Sequence, residues 1–120
     1  SVKEFLNCFI EKGNQYDEDL LDTYRNEFNR VMNYLAQCFP NGLKRGGKGS
    51  TPANVFEGVS VGAALALREC PQLEVCSKIN WIDSIVFRGY TTSATNSLPK
   101  VKGRIDYAKK AFLSHGHIEP

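Results

Sequence analysis

The glycine-rich segment at residues 42–50 comes closest to a known catalytic motif. It reads Gly-Leu-Lys-Arg-Gly-Gly-Lys-Gly-Ser, whereas a phosphate-binding P-loop requires G-x-x-x-x-G-K-[ST] after a strand. Gly49 stands where the motif needs a hydroxyl side chain, and Ser50 comes one residue late. The segment also follows a helical pattern. We therefore interpret it as a flexible basic loop and do not expect nucleotide hydrolysis there.

Glu57 is the second candidate, because it is the lone acid in an almost wholly apolar helical segment. A buried carboxylate needs a partner or a raised pKa. Arg104 lies in another predicted helix, next to the apolar Ile105. We expect Glu57 and Arg104 to form a structural ion pair in the core or at its rim. The alternative is that Glu57 acts as a general base, although no His, Cys or second acid lies at a helpful spacing.

His115 and His117 form an H-x-H pair near the end of the sequence. A protein zinc site needs three or four ligands, and Cys70 and Cys76 are far away in the sequence. We therefore expect no metal, no cofactor and no catalytic residue in this chain. We also expect its final residues to be frayed.

The four cysteines are interpreted as reduced thiols. They are Cys8, Cys38, Cys70 and Cys76, and none of them forms a C-x-x-C pair. An even number of cysteines would also fit two disulfides in a secreted protein. However, Cys8 and Cys38 fall in apolar helical patterns, where a free cysteine packs as a small hydrophobe. A chain of 120 residues can build a core without disulfides, which favours a cytoplasmic protein.

Basic residues in the glycine-rich loop and in the last predicted helix are candidates for nucleic-acid contact, because cations near a polyanion release its counterions. The net charge of +2 is too weak to argue for such contact by itself. No aromatic residues alternate with the basic ones to stack bases. The candidate contacts are Lys44, Arg45, Lys48, Lys100, Lys102 and Lys109. The alternative is an ordinary solvated surface.

Apolar residues recur at helical spacing along most of the chain, which predicts an all-α fold of about five helices. The first helix is expected to end at Gly13, and the second is expected to begin at the acidic residues Asp17–Asp19. The buried stripe of the second helix is expected to consist of Leu21, Tyr24, Phe28, Val31, Leu35 and Cys38.

The third helix, over about residues 52–69, is apolar around nearly its whole circumference. We therefore expect it to be buried at the centre of a compact bundle. Thr51 is expected to cap its start. Gly58 and Gly62 are four residues apart and are expected to let another helix approach closely.

Two further helices complete the predicted bundle. A short helix with Asp83 or Ser84 near its start is predicted from the apolar residues Trp81, Ile82, Ile85, Val86 and Phe87. Trp81 and Phe87 are interpreted as core anchors, and the alternative is an exposed surface for a partner. The last helix is expected to begin near Ser97–Pro99 with the buried stripe Leu98, Val101, Ile105, Ala108 and Phe112. The length predicts a single domain over residues 1–120. No apolar run is long enough for a membrane span, and the helical start without Met favours a fragment of a larger protein.

Two stretches of the sequence contain an ordered set of motifs. The first is Val-Phe-Glu-Gly-Val-Ser-Val-Gly-Ala-Ala-Leu-Ala-Leu at residues 55–67. The second combines Trp-Ile-Asp-Ser at 81–84, Thr-Thr-Ser-Ala-Thr-Asn-Ser at 91–97 and Arg-Ile-Asp-Tyr at 104–107. Together they resemble the C-terminal helical region of bacterial GmrSD-like proteins, over about residues 53–113. That family combines a ParB-like nuclease/NTPase-type N-terminal domain with helical C-terminal parts, and it is linked to the restriction of phage or foreign DNA.

The resemblance implies a non-catalytic role for this chain. The family's catalytic Asp-Gly-Gln-Gln-Arg motif belongs to the N-terminal domain, and the sequence contains neither that motif nor an H-N-H arrangement. The family's Glu and Arg positions match Glu57 and Arg104. We expect an accessory domain that supports the N-terminal catalytic domain of the same protein by packing, by homo-oligomerisation or by DNA contact. The alternatives are a small stand-alone nucleic-acid-binding module and an enzyme that uses Glu57.

Overall fold

The computed structural model describes residues 1–4, 7, 18–93 and 95–120. Residues 2–4 and 7 are helical. The rest of the first predicted helix, its expected end at Gly13 and the predicted start at Asp17 lie outside the described residues.

The regular secondary structure of the described residues is helical and contains no strand, which confirms the all-α prediction. The four longer helices are α1 (Glu18–Cys38), α2 (Ala53–Glu69), α3 (Ile85–Thr91) and α4 (Leu98–Leu113). Two short 3₁₀ turns lie at Arg45–Gly47 and Asn80–Asp83. None of the helices in this part of the chain is long and apolar enough to cross a bilayer.

The contacts divide the chain into two compact units, residues 1–30 and residues 31–120, with the boundary inside α1. In the first unit, Glu18 and Asp19 lie in the first turn of α1, where carboxylates stabilise the positive end of a helix. The predicted stripe is wrong at Phe28, whose side chain is 61% exposed. Helical spacing predicts a face of a helix but does not guarantee a partner that covers it.

An aromatic cluster forms the centre of the second unit. The Trp81 ring lies 5.3 Å from the Phe112 ring and 5.5 Å from the Phe87 ring, both in edge-to-face geometry. Phe87 in turn stacks on Tyr107 at 5.5 Å. Such pairs contribute roughly 0.5–1.5 kcal/mol each beyond the area they bury. The interpretation of Trp81 and Phe87 as core anchors is confirmed.

Helix α2 packs against α4 along its two glycines, as predicted. A Cβ atom on Gly62 would lie 2.7 Å from the Cβ of Ala108, so only glycine permits this approach. The expectation that α2 is buried all round is wrong in part. Val59 and Ala63 are fully buried, whereas Phe56 is 44% exposed on an open side of the helix.

The helix starts follow the sequence signals closely. Ser84 caps α3, since its hydroxyl oxygen accepts a hydrogen bond from the Phe87 backbone N–H at 3.1 Å. Ser97 precedes α4 and Pro99 lies in its first turn, as predicted. The cap of α2 was misplaced, because Pro52 occupies the cap position. The hydroxyl of Thr51 instead donates to a backbone carbonyl of the preceding loop.

The predicted buried stripe of α4 is wrong at its first residue. Leu98 is 64% exposed, although Ala108 and Phe112 are fully buried as expected. The buried face also includes Arg104 and Tyr107, whose polar ends find hydrogen-bond partners. Hydrophobicity alone does not reveal this face, because a polar side chain can be buried when it is paired.

The residues after α4 are ordered, so the prediction of a frayed end is wrong. His115 and Gly116 adopt positive φ, and the Gly116 N–H donates to the Ala111 carbonyl at 2.7 Å. This is the Schellman arrangement that ends many helices. Further along, the Tyr107 hydroxyl donates to the Glu119 carbonyl at 2.6 Å. These hydrogen bonds therefore hold the segment against α4.

Candidate functional site

The structure brings Glu57 and Arg104 together. The Arg104 Nη2 donates to the Glu57 Oε1 at 2.7 Å, and its Nε donates to the same oxygen at 3.3 Å. The remaining guanidinium nitrogen, Nη1, donates to the backbone carbonyl of Thr95. Arg104 is 1% exposed and the Glu57 side chain is 26% exposed. The pair therefore lies at the rim of the core, with the cation buried and the carboxylate partly exposed.

Gly58 makes room for the stem of Arg104. A Cβ atom on Gly58 would lie 3.0 Å from the Cγ of Arg104 and 3.1 Å from its Cβ. The arginine thus links three parts of the fold, namely α2, α4 and the turn that contains Thr95. A carboxylate that accepts two hydrogen bonds from a buried guanidinium is well suited to hold helices together. This geometry favours the structural pair over the general-base alternative.

The Thr-Thr-Ser-x-Thr-Asn-Ser segment at residues 91–97 forms hydrogen bonds within the fold. The Thr91 hydroxyl donates to the Phe87 carbonyl at 3.0 Å, and the Thr92 hydroxyl donates to the Arg88 carbonyl at 2.7 Å. The Asn54 side-chain amide donates to the Thr91 carbonyl at 2.5 Å. The carbonyls of Arg88 and Thr91 belong to the last turn of α3, where carbonyls have no partner within the helix. The bond from Asn54 also joins that end of α3 to the start of α2.

The glycine-rich loop contacts both ends of α3, through Asp83 before its start and Thr91 at its end. Asp83 Oδ1 accepts from the Gly46 backbone N–H at 3.0 Å and from Arg88 Nη2 at 3.2 Å. Arg45 Nη2 donates to the Thr91 hydroxyl oxygen. Burial and the neighbouring Arg88 lower the pKa of Arg45, and Asp83 partly offsets them. Sequence reasoning missed Arg88 and Asp83, because their proximity to the loop depends on the tertiary fold.

The candidate basic residues do not form a single surface. Lys109 pairs with Glu69 at 2.9 Å, at the C-terminal end of α2, whereas Arg45 lies at the N-terminal end. These ends are about 24 Å apart at 1.5 Å per residue. Lys100 donates to the carbonyls of Thr92 and Ser93 and so satisfies backbone groups. The remaining candidates, Lys44, Lys48 and Lys102, are exposed.

Cys38 and Cys76 are buried next to each other as free thiols. The Cys76 backbone N–H donates to the Cys38 sulfur at 3.3 Å. Burial raises the pKa of both thiols, and the Cys38 sulfur further raises the pKa of Cys76. Cys70 is a free thiol with partial exposure, and Cys8 lies outside the described residues.

The buried thiols are expected to react slowly in the folded chain. With iodoacetamide at neutral pH, Cys70 should be alkylated at least about tenfold faster than Cys38 and Cys76, because the thiolate is the reactive form and burial disfavours it. Peptide mapping by mass spectrometry separates the sites. Equal rates at the three sites in the folded chain, with equal rates again in denaturant, would contradict the burial.

His115 and His117 are both exposed. Among residues 1–4, 7, 18–93 and 95–120, the structure contains no group of three or more His, Cys, Asp or Glu side chains that could hold a metal ion. The two histidines alone are too few ligands for a zinc site.

No family model matches the chain, and no curated protein and no solved structure matches it either. The GmrSD-like resemblance therefore rests on the residues themselves.

Proposed function

We propose that this chain is a non-catalytic helical accessory domain of a GmrSD-like DNA-restriction or phage-defence protein. It supports the N-terminal catalytic domain of that protein by packing on it, by homo-oligomerisation or by DNA contact, and it requires no cofactor. With its buried free thiols, it works in a reducing, cytoplasmic setting.

The proposal is supported by the positions in the fold of those residues that resemble the GmrSD-like family. Glu57 and Arg104, which match the family's Glu and Arg positions, form an ion pair that links α2 to α4. Thr91 and Thr95 supply hydrogen-bonding groups to the same region. Trp81 packs in the aromatic core. Residues from Glu57 to Arg104 thus serve one packed unit, as expected for a scaffold.

Assays of the purified chain test the absence of catalysis. We expect no nucleotide hydrolysis and no nicking of plasmid DNA in the presence of Mg²⁺, under conditions where circular dichroism shows that the chain is folded. Activity that purifies with the chain and is lost in a Glu57→Gln variant would contradict the proposal and would support the enzyme alternative.

A plaque assay tests the defence role. Cells that carry the intact gene encoding this chain are expected to give fewer phage plaques than cells without it. Arg104→Ala in that gene should reduce the protection, because a destabilised scaffold lowers the amount of folded protein. Arg25→Ala, which removes an arginine from an exposed ion pair with Asp22, serves as the control and should retain the protection. Plaque numbers that do not depend on the gene over a panel of phages would contradict this role.

The second candidate function is a stand-alone nucleic-acid-binding module. It is favoured by one observation, the exposed lysines beside Arg45 in the glycine-rich loop. The two functions differ in their dependence on other domains, because a stand-alone module binds DNA and acts without them.

A further inference from the structure

Four basic side chains lie on the glycine-rich loop and on helix α3, which the loop contacts. Arg88 pairs with Asp83 Oδ1, which also accepts from the backbone N–H of Gly46 next to Arg45, and the charge of Arg88 lowers the pKa of Arg45. Lys44 and Lys48 flank the same 3₁₀ turn, are exposed and form no ion pair within the described ranges. We call this group, Lys44, Arg45, Lys48 and Arg88, the cationic loop site.

The local charge at this site is not balanced by acidic groups. Asp83 is the carboxylate that the structure places against the loop, and it is shared between Arg88 and the Gly46 backbone N–H. The Arg45 Nε is buried and has no hydrogen-bond partner among the described residues. Neighbouring guanidinium groups repel each other unless an anion lies near them. An anionic ligand would therefore stabilise this arrangement.

The loop is open to a large ligand. Cβ atoms built on Gly46, Gly47 and Gly49 would meet no other atom within 4 Å. All three residues adopt positive φ, which glycine permits without strain. The loop also lacks aromatic side chains on which unpaired bases could stack. These features suit contacts to a sugar-phosphate backbone better than contacts to single-stranded bases.

We propose that the cationic loop site binds the phosphate backbone of duplex DNA, without sequence preference. This inference rests on the DNA-contact form of the proposed function and assigns that contact to one end of α2. It excludes Lys109, which lies at the opposite end of α2 and is paired with Glu69. The inference adds Arg88 to the candidate DNA contacts, and it identifies Asp83 as the group that weakens DNA binding.

Fluorescence anisotropy with a short labelled duplex, at salt concentrations from low to physiological, tests the proposal. Arg88→Gln and Lys48→Gln should each weaken binding about fivefold at low salt. Each should also reduce the slope of log affinity against log salt by about one. Lys110→Gln removes an equal charge from the C-terminal part of α4 and should leave both quantities unchanged.

Asp83→Asn provides a test in the opposite direction. The asparagine oxygen can still accept the Gly46 N–H bond, while the negative charge is lost. Affinity for the duplex should therefore rise about fivefold. A purely structural role for Asp83 would instead predict weaker binding or none. Thermal unfolding of each variant by circular dichroism confirms that the comparison is made between folded proteins.

The outcomes separate this inference from the function on which it rests. If the chain fails to bind duplex DNA at the lowest salt, both this site and the DNA-contact form of the proposed function are wrong, and packing and oligomerisation remain. If Lys110→Gln weakens binding as much as Arg88→Gln, the DNA contact stands but the assigned site is wrong. Tighter binding of single strands than of the duplex would also overturn the site.

Discussion

Arg104→Ala is expected to lower the free energy of unfolding by about 3 kcal/mol. Arg104 is almost fully buried, and its guanidinium holds the Glu57 carboxylate and the Thr95 carbonyl. The truncation leaves those two acceptors without their donor and opens a cavity beside Gly58. Urea denaturation followed by circular dichroism measures the change at neutral pH.

Two controls make this prediction specific. Arg25→Ala removes an arginine from an exposed helical pair with Asp22, at 3.1 Å, and is expected to change stability by less than about 0.5 kcal/mol. Glu57→Gln keeps a side-chain oxygen that can accept from Arg104, so it should cost less than Arg104→Ala. If Arg104→Ala lowers the free energy of unfolding as little as Arg25→Ala does, Arg104 does not contribute to stability as we describe.

Gly62→Ala is expected to destabilise the fold by about 2 kcal/mol, although alanine favours helix by about 1 kcal/mol over glycine. The new Cβ atom would lie 2.7 Å from the Ala108 Cβ, 2.9 Å from the Lys109 backbone nitrogen and 3.0 Å from the Ile105 carbonyl oxygen. Two of these atoms are backbone and cannot rotate away. Helices α2 and α4 must therefore move apart, and the core between them loses contact.

Gly89→Ala is the matched control for Gly62→Ala. Gly89 also lies in a helix, α3, but a Cβ atom there would meet no atom within 4 Å. Only the helix propensity then changes, so the free energy of unfolding should rise by roughly 0.5–1 kcal/mol in this variant. Urea midpoints for both variants, compared with the original chain, provide the measurement. A stabilising effect at both positions would show that α2 and α4 are not in close contact at Gly62.

Local signals in the sequence were sufficient for much of the fold. Ser84 and Pro99 mark helix starts because a hydroxyl oxygen accepts an N-terminal N–H, and because proline has no N–H to leave unpaired. The pairing of Glu57 with Arg104 could be inferred because an acid in an apolar helix requires a partner. The close approach at Gly62 followed from a residue that helix propensity alone would not select.

Features that depend on tertiary contacts could not be predicted in the same way. Phe28 and Leu98 fit apolar stripes, yet both are exposed. The helical spacing of apolar residues does not show how far along the helix its packing partner extends. The ordered segment after α4 depends on Glu119 meeting Tyr107 across the fold. Arg88 joins the cationic loop site only because α3 lies beside the glycine-rich loop in the fold, and no sequence spacing signals that contact.

The structural role of Glu57 is the claim on which the scaffold interpretation depends. A double-mutant cycle tests it most directly, with urea unfolding of the original chain, Glu57→Ala, Arg104→Ala and the double variant. We predict a coupling energy of about 1 kcal/mol or more, because either single truncation already abolishes the interaction that the other would remove. Strictly additive single effects would contradict the pair and would return Glu57 to consideration as a catalytic residue.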